Sequence, residues 1–291
     1  MKSTELYWLC SELFESRETG LIAALLLSLS SFHLVYAQEA RPYSLWALLV
    51  MVSSALLMVA MRRTDVPSWS AYCVALILTL YTQLLSVFVA LAHLLFCLIT
   101  ERFHLSRNVR SFLVCLGIAF VTLVPWIVAG VSCGGFENSS DHFTALKVSP
   151  ARFSSSWSNN LCWLYLCHRD CSYSGLVVAL EIGALLSLLL PVAKKTRIFL
   201  FALISCSVLP LLIPDLVCGG QRSTVARYLT PALVGLSAAV ASLFSRGLSA
   251  RHKAVRYTTV ACLLFLLIGQ GQSCWLYIQK SFQFFFLAYW Q

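Results

Sequence analysis

Charge is what this sequence most lacks. Lysine, arginine, aspartate and glutamate together make up 11% of its 291 residues, against roughly a quarter in a soluble globular domain. No stretch is polar enough to fold as a soluble domain, so lipid or neighbouring helices must solvate most of the chain. Short segments of alternating polarity, which mark a membrane β-barrel, are absent as well. What remains is an all-α polytopic membrane protein, whose helices satisfy their own backbone hydrogen bonds inside the bilayer. No internal repeat is present. A typical secretory leader is also missing, because Glu12, Glu15 and Glu18 crowd the approach to the first apolar run. The net charge of +9 would raise nucleic acid as a partner for a soluble protein. Here the basic residues sit in short loops between apolar runs, the usual marking of membrane topology, and nucleic acid is set aside.

The apolar runs then become the chain's organisation. At 1.5 Å per residue a helix needs about 17–25 of them to cross a bilayer. Runs at 20–35, 44–61, 111–131, 173–190, 198–212, 228–244 and 258–277 each read as one crossing. The stretch 71–99 is too long for one upright helix, and charge decides how to read it. Splitting it near Tyr81-Thr82-Gln83 puts Arg17, Arg62, Arg63, Arg102, Arg107, Arg110, Lys194, Lys195, Arg197, Arg246, Arg251, Lys253 and Arg256 on one side, 13 of the 21 basic residues. The positive-inside rule makes that side cytoplasmic. The expectation is thus a single transmembrane domain over 1–291 with nine crossings and a cytoplasmic N-terminus. An amphipathic lead spans 1–19, with Leu6, Trp8, Leu9, Leu13 and Phe14 roughly on one face, and an interfacial aromatic segment spans 282–290. N-terminal helices (20–131) and C-terminal helices (173–291) flank an extracytoplasmic loop at 132–172.

Between the first two runs lies Tyr36-Ala37-Gln38-Glu39-Ala40-Arg41-Pro42-Tyr43, a charged aromatic hinge at the non-cytoplasmic face. Pro42 blocks helix continuation. The hinge reads either as an interfacial turn with a salt-bridged Glu39/Arg41 pair, or as an anion site with Arg41 aimed at a lipid phosphate. The run from Gly20 to His33 leading into this hinge resembles the family-39-like membrane glycosyltransferases of the GT-C class. Members carry a Ser/Ala-Gln-Glu-Ala-Arg-Met/Pro-Tyr hinge after a small-residue-rich helix. The likeness continues weakly through Trp69-Ser70-Ala71-Tyr72 and Leu80-Tyr81-Thr82-Gln83, and at Arg227-Tyr228-Leu229-Thr230-Pro231-Ala232-Leu233.

The resemblance implies a GT-C-like helical bundle in a plasma or inner membrane. It implies transfer of a sugar from a polyprenyl-phosphate donor to a lipid, glycan or protein acceptor on the non-cytoplasmic face. Arg41 would hold the donor phosphate, Gln38 and Glu39 would orient groups at the hinge, Tyr43 would line the site, and Arg227 would assist. The family's catalytic acid lies upstream of the hinge, so the resemblance implies that this chain is incomplete at its N-terminus. Glu39 then stands as a weak substitute base. Two alternatives accompany this reading: a non-catalytic relic of such an enzyme, and a transporter of lipid-linked or anionic substrate.

Three polar segments fall on the outer face: the hinge, the 132–172 loop, and 215–228 with Arg222 and Arg227. Guanidinium groups hold phosphate bidentately, although Arg222 and Arg227 also fit as interfacial snorkelling residues. Glu181 lies well inside an apolar run, where an intramembrane acid is a functional candidate. Cys162, Cys167, His168 and Cys171 lack the paired C-x-x-C spacing of structural zinc sites. With Cys133 and Cys218 on the same face, one or two disulfides fit better in an oxidising compartment. Asn138-Ser139-Ser140 matches a glycosylation acceptor. No cofactor is called for, and a divalent metal is compatible with the chemistry but indicated by no residue pattern.

Overall fold

The computed structural model describes residues 2–39, 41–132, 149–166, 174–190 and 192–289, and every regular element among them is helical. In chain order these are α1 (Lys2–Phe14), α2 (Arg17–Ser28), α3 (Ser31–Gln38), α4 (Tyr43–Arg63), α5 (Val66–Thr82), α6 (Ser86–Thr100) and α7 (Arg107–Ser132). There follow α8 (Pro150–Trp163), α9 (Ser174–Ser187), α10 (Lys194–Cys218), two 3-10 turns (Arg222–Thr224 and Ala226–Leu229), α11 (Thr230–Leu248) and α12 (Lys253–Tyr289).

Among the described residues five helices are long and apolar enough to cross a membrane: α4, α7, α10, α12 and α11 with the turn before it. The α2–α3 pair qualifies as a sixth if taken together. This is a multi-pass membrane protein.

Its first apolar run is not one straight crossing. α2 and α3 meet at 56°, across a serine-rich break where hydroxyls compete with the helical ladder. Ser30 and Ser31 are buried and donate to the carbonyls of Leu164 (2.6 Å) and Trp163 (3.2 Å). The long run at 71–99 also divides: α5 ends at Thr82 and α6 begins at Ser86. Ser86 secures the break, donating to the Thr79 carbonyl at 2.7 Å while accepting from Trp46 Nε1 at 2.7 Å. At the other end of α5, the Asp65 carboxylate accepts from the Ser68 N–H at 3.1 Å, an N-cap.

The helix α11 is the centre of the bundle, touching α1, α2, α4, α9, α10 and α12. Its sequence explains the position. Without water to drive helices together, close backbone approach and van der Waals contact hold a membrane bundle, and small residues permit both. Ala232, Gly235, Ser237, Ala238, Ala239, Ala241, Ser242 and Ser245 are all buried. At Gly235 an added Cβ would lie 3.0 Å from Ile204 Cγ1 of α10.

The lead folds as the amphipathic helix α1, which reverses into α2 at Glu15; Leu6, Leu9, Cys10 and Leu13 are buried, and Trp8 and Phe14 pack against the core. Lys2 is half-buried and within electrostatic reach of His33 of α3. The described part of the 132–172 loop is the helix α8, which starts exposed and ends inside, with Asn160, Cys162, Leu164 and Tyr165 buried. Residues 133–148 and 167–173, and with them Cys133, Asn138, Lys147, Cys167, His168, Arg169 and Cys171, lie outside the described residues. The 282–290 segment continues α12 as far as Tyr289, its side chains outside the description.

Contacts sort the helix ends into two groups. At one end Arg62 pairs with Glu12, Thr196 donates to the Leu13 carbonyl, Asn108 bonds Met61 and Glu101, Ser249 reaches Glu18 and Arg246 bonds Ser187. This is the basic end. At the other lie the hinge, the start of α4, the α5–α6 break and the 3-10 turns.

Candidate functional site

The hinge is built by helix ends. Glu39 closes α3, its N–H bonding the Val35 carbonyl at 3.2 Å. Pro42 opens α4, its carbonyl accepting from the Trp46 N–H at 2.8 Å. Tyr36 on α3 and Tyr43 on α4 are thereby brought edge to face with ring centroids 5.5 Å apart. Gln38, Glu39 and Arg41 are exposed around them.

Onto this pair the fold delivers Arg227. Its guanidinium carbon lies 5.6 Å from the Tyr43 ring centre and 5.4 Å from that of Tyr228, within cation–π range of both. Nε of Arg227 is buried and bonds nothing. The Tyr36 hydroxyl is within electrostatic reach of Glu39, Arg227 and Arg41 at once. Arg227, stacked on Tyr43, and the exposed Glu39 and Arg41 therefore lie within electrostatic range of one phenol at the end of the bundle.

The 3-10 turns that carry Arg227 are held from below and from the side. Asp215, buried near the end of α10, accepts from the Ser223 N–H at 2.6 Å. Asn160 of α8 donates to the Thr224 carbonyl at 2.6 Å. Trp163, at the end of α8, packs edge-on against Phe32 (5.5 Å) and tilted against Tyr36 (5.8 Å). The inserted end of α8 thus touches both halves of the site.

Of the residues singled out in the sequence, Tyr43 and Arg227 come into contact, with Glu39 and Arg41 within electrostatic range of the adjoining Tyr36 and Gln38 exposed beside them. Arg222 does not join them. It is half-buried in the preceding 3-10 turn, which packs on α10 and α8. Among the described residues Glu39 and Arg41 form no ion pair, so the salt-bridged form of the hinge is not the one adopted. Sequence reasoning missed Trp163 and Asn160. Their only local signal is an aromatic and an amide in a polar stretch, and their role is created by the insertion of α8.

Glu181 is in the interior of α9, 2% exposed, and neither carboxylate oxygen has a hydrogen-bond partner. The buried Tyr165 hydroxyl, beside Ser237, lies within its electrostatic reach. Cys162 is disulfide-bonded, whereas Cys218 is a free thiol. No family model matches the sequence, and no curated protein matches it.

Proposed function

We propose that this chain is a membrane glycosyltransferase of the GT-C type, moving a sugar from a polyprenyl-phosphate donor to a lipid, glycan or protein acceptor at the hinge end. In this reading there are nine crossings. They are the bent α2–α3 pair, the shorter helices α5, α6 and α9, and the long spans containing α4, α7, α10, α11 and α12. The basic end faces the cytoplasm by the positive-inside rule, and the hinge faces outward from a plasma or inner membrane.

The observation that carries the proposal is the placement of Arg227. Its guanidinium stacks on Tyr43 of the hinge while its Nε–H is buried and unbonded. A buried, unbonded N–H on a cation is an open donor for an anion. Arg41 stands near the same phenol. In the reaction an acceptor hydroxyl attacks the anomeric carbon and gives its proton to Glu39 as the candidate base, the bond from that carbon to the phosphate oxygen breaks, and polyprenyl phosphate leaves with the negative charge. Two guanidinium groups at the leaving phosphate stabilise that charge as it develops. Glu39 and Gln38, exposed at the rim, orient hydroxyls of donor or acceptor.

The test is a transfer assay in membranes with a radiolabelled polyprenyl-phosphate sugar. Arg41→Ala and Arg227→Ala should each lower transfer by roughly 10²-fold, the scale of losing one charge-stabilising donor. Unchanged transfer in both variants rejects the reading.

One observation favours a second reading, transport of an anionic or lipid-linked substrate: the unpartnered carboxyl of Glu181 in the bundle interior. Flux across vesicles that Glu181→Gln abolishes, with no sugar transfer by the unaltered chain, would replace the first reading with this one.

A further inference from the structure

The geometry points to a separate anion site at the basic end, one that takes the phosphodiester headgroup of an anionic membrane lipid. A cavity of about 410 Å³ opens there between α1, α4, α6 and α10. Its rim is charged, formed by Glu12, Glu15, Arg62, Lys194 and Lys195. Its floor is apolar, formed by Leu13, Met58, Met61 and Phe96.

The charges at the rim do not cancel. Arg62 binds Glu12 through two hydrogen bonds, at 2.7 and 3.3 Å, which neutralises both. Lys194 and Lys195 then face only Glu15, and among the described residues neither lysine makes an ion pair. One positive charge is left over, which matches a phosphodiester monoanion.

Backbone donors add to it. α10 begins at this cavity, and Ala193, its N-cap residue, supplies no side-chain cap. The first-turn N–H at Thr196, which also lines the cavity, therefore lacks the side-chain cap that Ser16 gives Thr19 in α2 and Asp65 gives Ser68 in α5. An anion at this position also meets the positive end of a 25-residue helix.

The apolar floor decides between classes of anion. A soluble anion gains nothing from Met58, Met61 and Phe96, whereas a phospholipid places its glycerol and first methylenes there with its phosphate at the rim. Basic pockets between membrane helices at this level are where acidic headgroups bind. The site lies at the opposite end of the bundle from Arg227, and its test does not depend on what the hinge does.

The experiment follows thermal unfolding of the full chain in neutral detergent during titration with short-chain phosphatidylglycerol, phosphatidylcholine of equal chain length, or inorganic phosphate. Phosphatidylglycerol should raise Tm and phosphatidylcholine should not. Lys194→Ala with Lys195→Ala, two exposed side chains whose loss spares the core, should weaken the phosphatidylglycerol midpoint roughly tenfold or more. The pair Arg251→Ala with Lys253→Ala, basic but not lining the cavity, should leave the midpoint unchanged. Equal effects of the two lipids, or equal weakening by both variant pairs, overturns the site. Stabilisation by inorganic phosphate that matches phosphatidylglycerol and disappears in the lysine variant overturns the lipid assignment and makes free phosphate the ligand.

Discussion

The Ser30 hydroxyl donates to the Leu164 carbonyl at 2.6 Å, joining residues 134 apart in sequence. The bond is buried, and it fastens the bend in the first apolar run to the inserted end of α8. Through Trp163 and Tyr36 the same contact reaches the hinge, and through Asn160 it reaches the turn before Arg227. A local break in a helix is thereby made into part of a site.

Ser30→Ala removes the donor and leaves the Leu164 carbonyl unpaired in a buried place. The expected loss is about 1–2 kcal/mol, toward the upper end of membrane hydrogen-bond measurements. Thermal unfolding in detergent reads it. Ser28→Ala serves as the control, since that hydroxyl bonds only its own helix at Leu25 and is exposed.

Tyr43→Phe keeps the ring beneath Arg227 and should retain donor affinity, whereas Tyr43→Ala removes it. A cation–π contact of about 0.5–2 kcal/mol corresponds to a roughly 2- to 30-fold loss. Titration with a polyprenyl-phosphate analogue separates the two variants. Equal losses would show that the hydroxyl matters and the stacking does not.

His93 is fully buried among α4, α5, α6 and α10, with Nε2 3.2 Å from the Ser54 hydroxyl and Nδ1 3.1 Å from the Tyr72 hydroxyl. Its ring stacks on Phe199 at 5.9 Å. His93→Ala opens a cavity and strands two hydroxyls at once, for an expected cost of about 2–4 kcal/mol. Tyr72→Phe should cost about 1 kcal/mol alone and less than that in the His93→Ala background, since its partner is already gone. A double-mutant cycle on unfolding free energy measures the coupling.

Gly247 lies against Thr259 of α12, with the Thr259 Cγ2 2.8 Å and its Cβ 3.1 Å from where a Cβ would stand. A β-branched side chain has little freedom to withdraw. Gly247→Ala should therefore lower Tm by pushing α12 away, and Thr259→Ala in the same chain should restore most of the loss. Failure of the second change to rescue the first would mean that the strain lies in the backbone.

The hydrogen bond from Ser68 holds the Asp65 carboxyl below its ordinary range. A depressed folded-state value means that the cap stabilises the protein above the unfolded value, about 3.9. That contribution is lost as pH falls through the lower folded value. Asp65→Asn keeps an acceptor that does not titrate. Between neutral pH and pH 3, Tm of the unaltered chain should fall more than that of Asp65→Asn, and parallel curves would refute the assignment.

What the sequence by itself determined is everything that depends on neighbours along the chain. The apolar runs become helices, Pro42 starts α4, the 71–99 run breaks after Thr82, and Arg62, Lys194 and Lys195 gather at one end. Hydropathy, turn chemistry and charge are local quantities, so they could be read directly. Which helix would be central was not readable. α11, with the turn before it, and the described apolar part of α12 have the same mean hydropathy, yet 89% of the one window is buried against 17% of the other. In lipid an apolar surface does not say whether it faces a helix or an acyl chain, because both solvate it equally well. Arg227 meeting Tyr43, α8 turning inward and Ser30 reaching Leu164 were decided by packing alone. The shape of small residues and a few buried hydroxyls selected those partners, and that selection exists only once the helices are side by side.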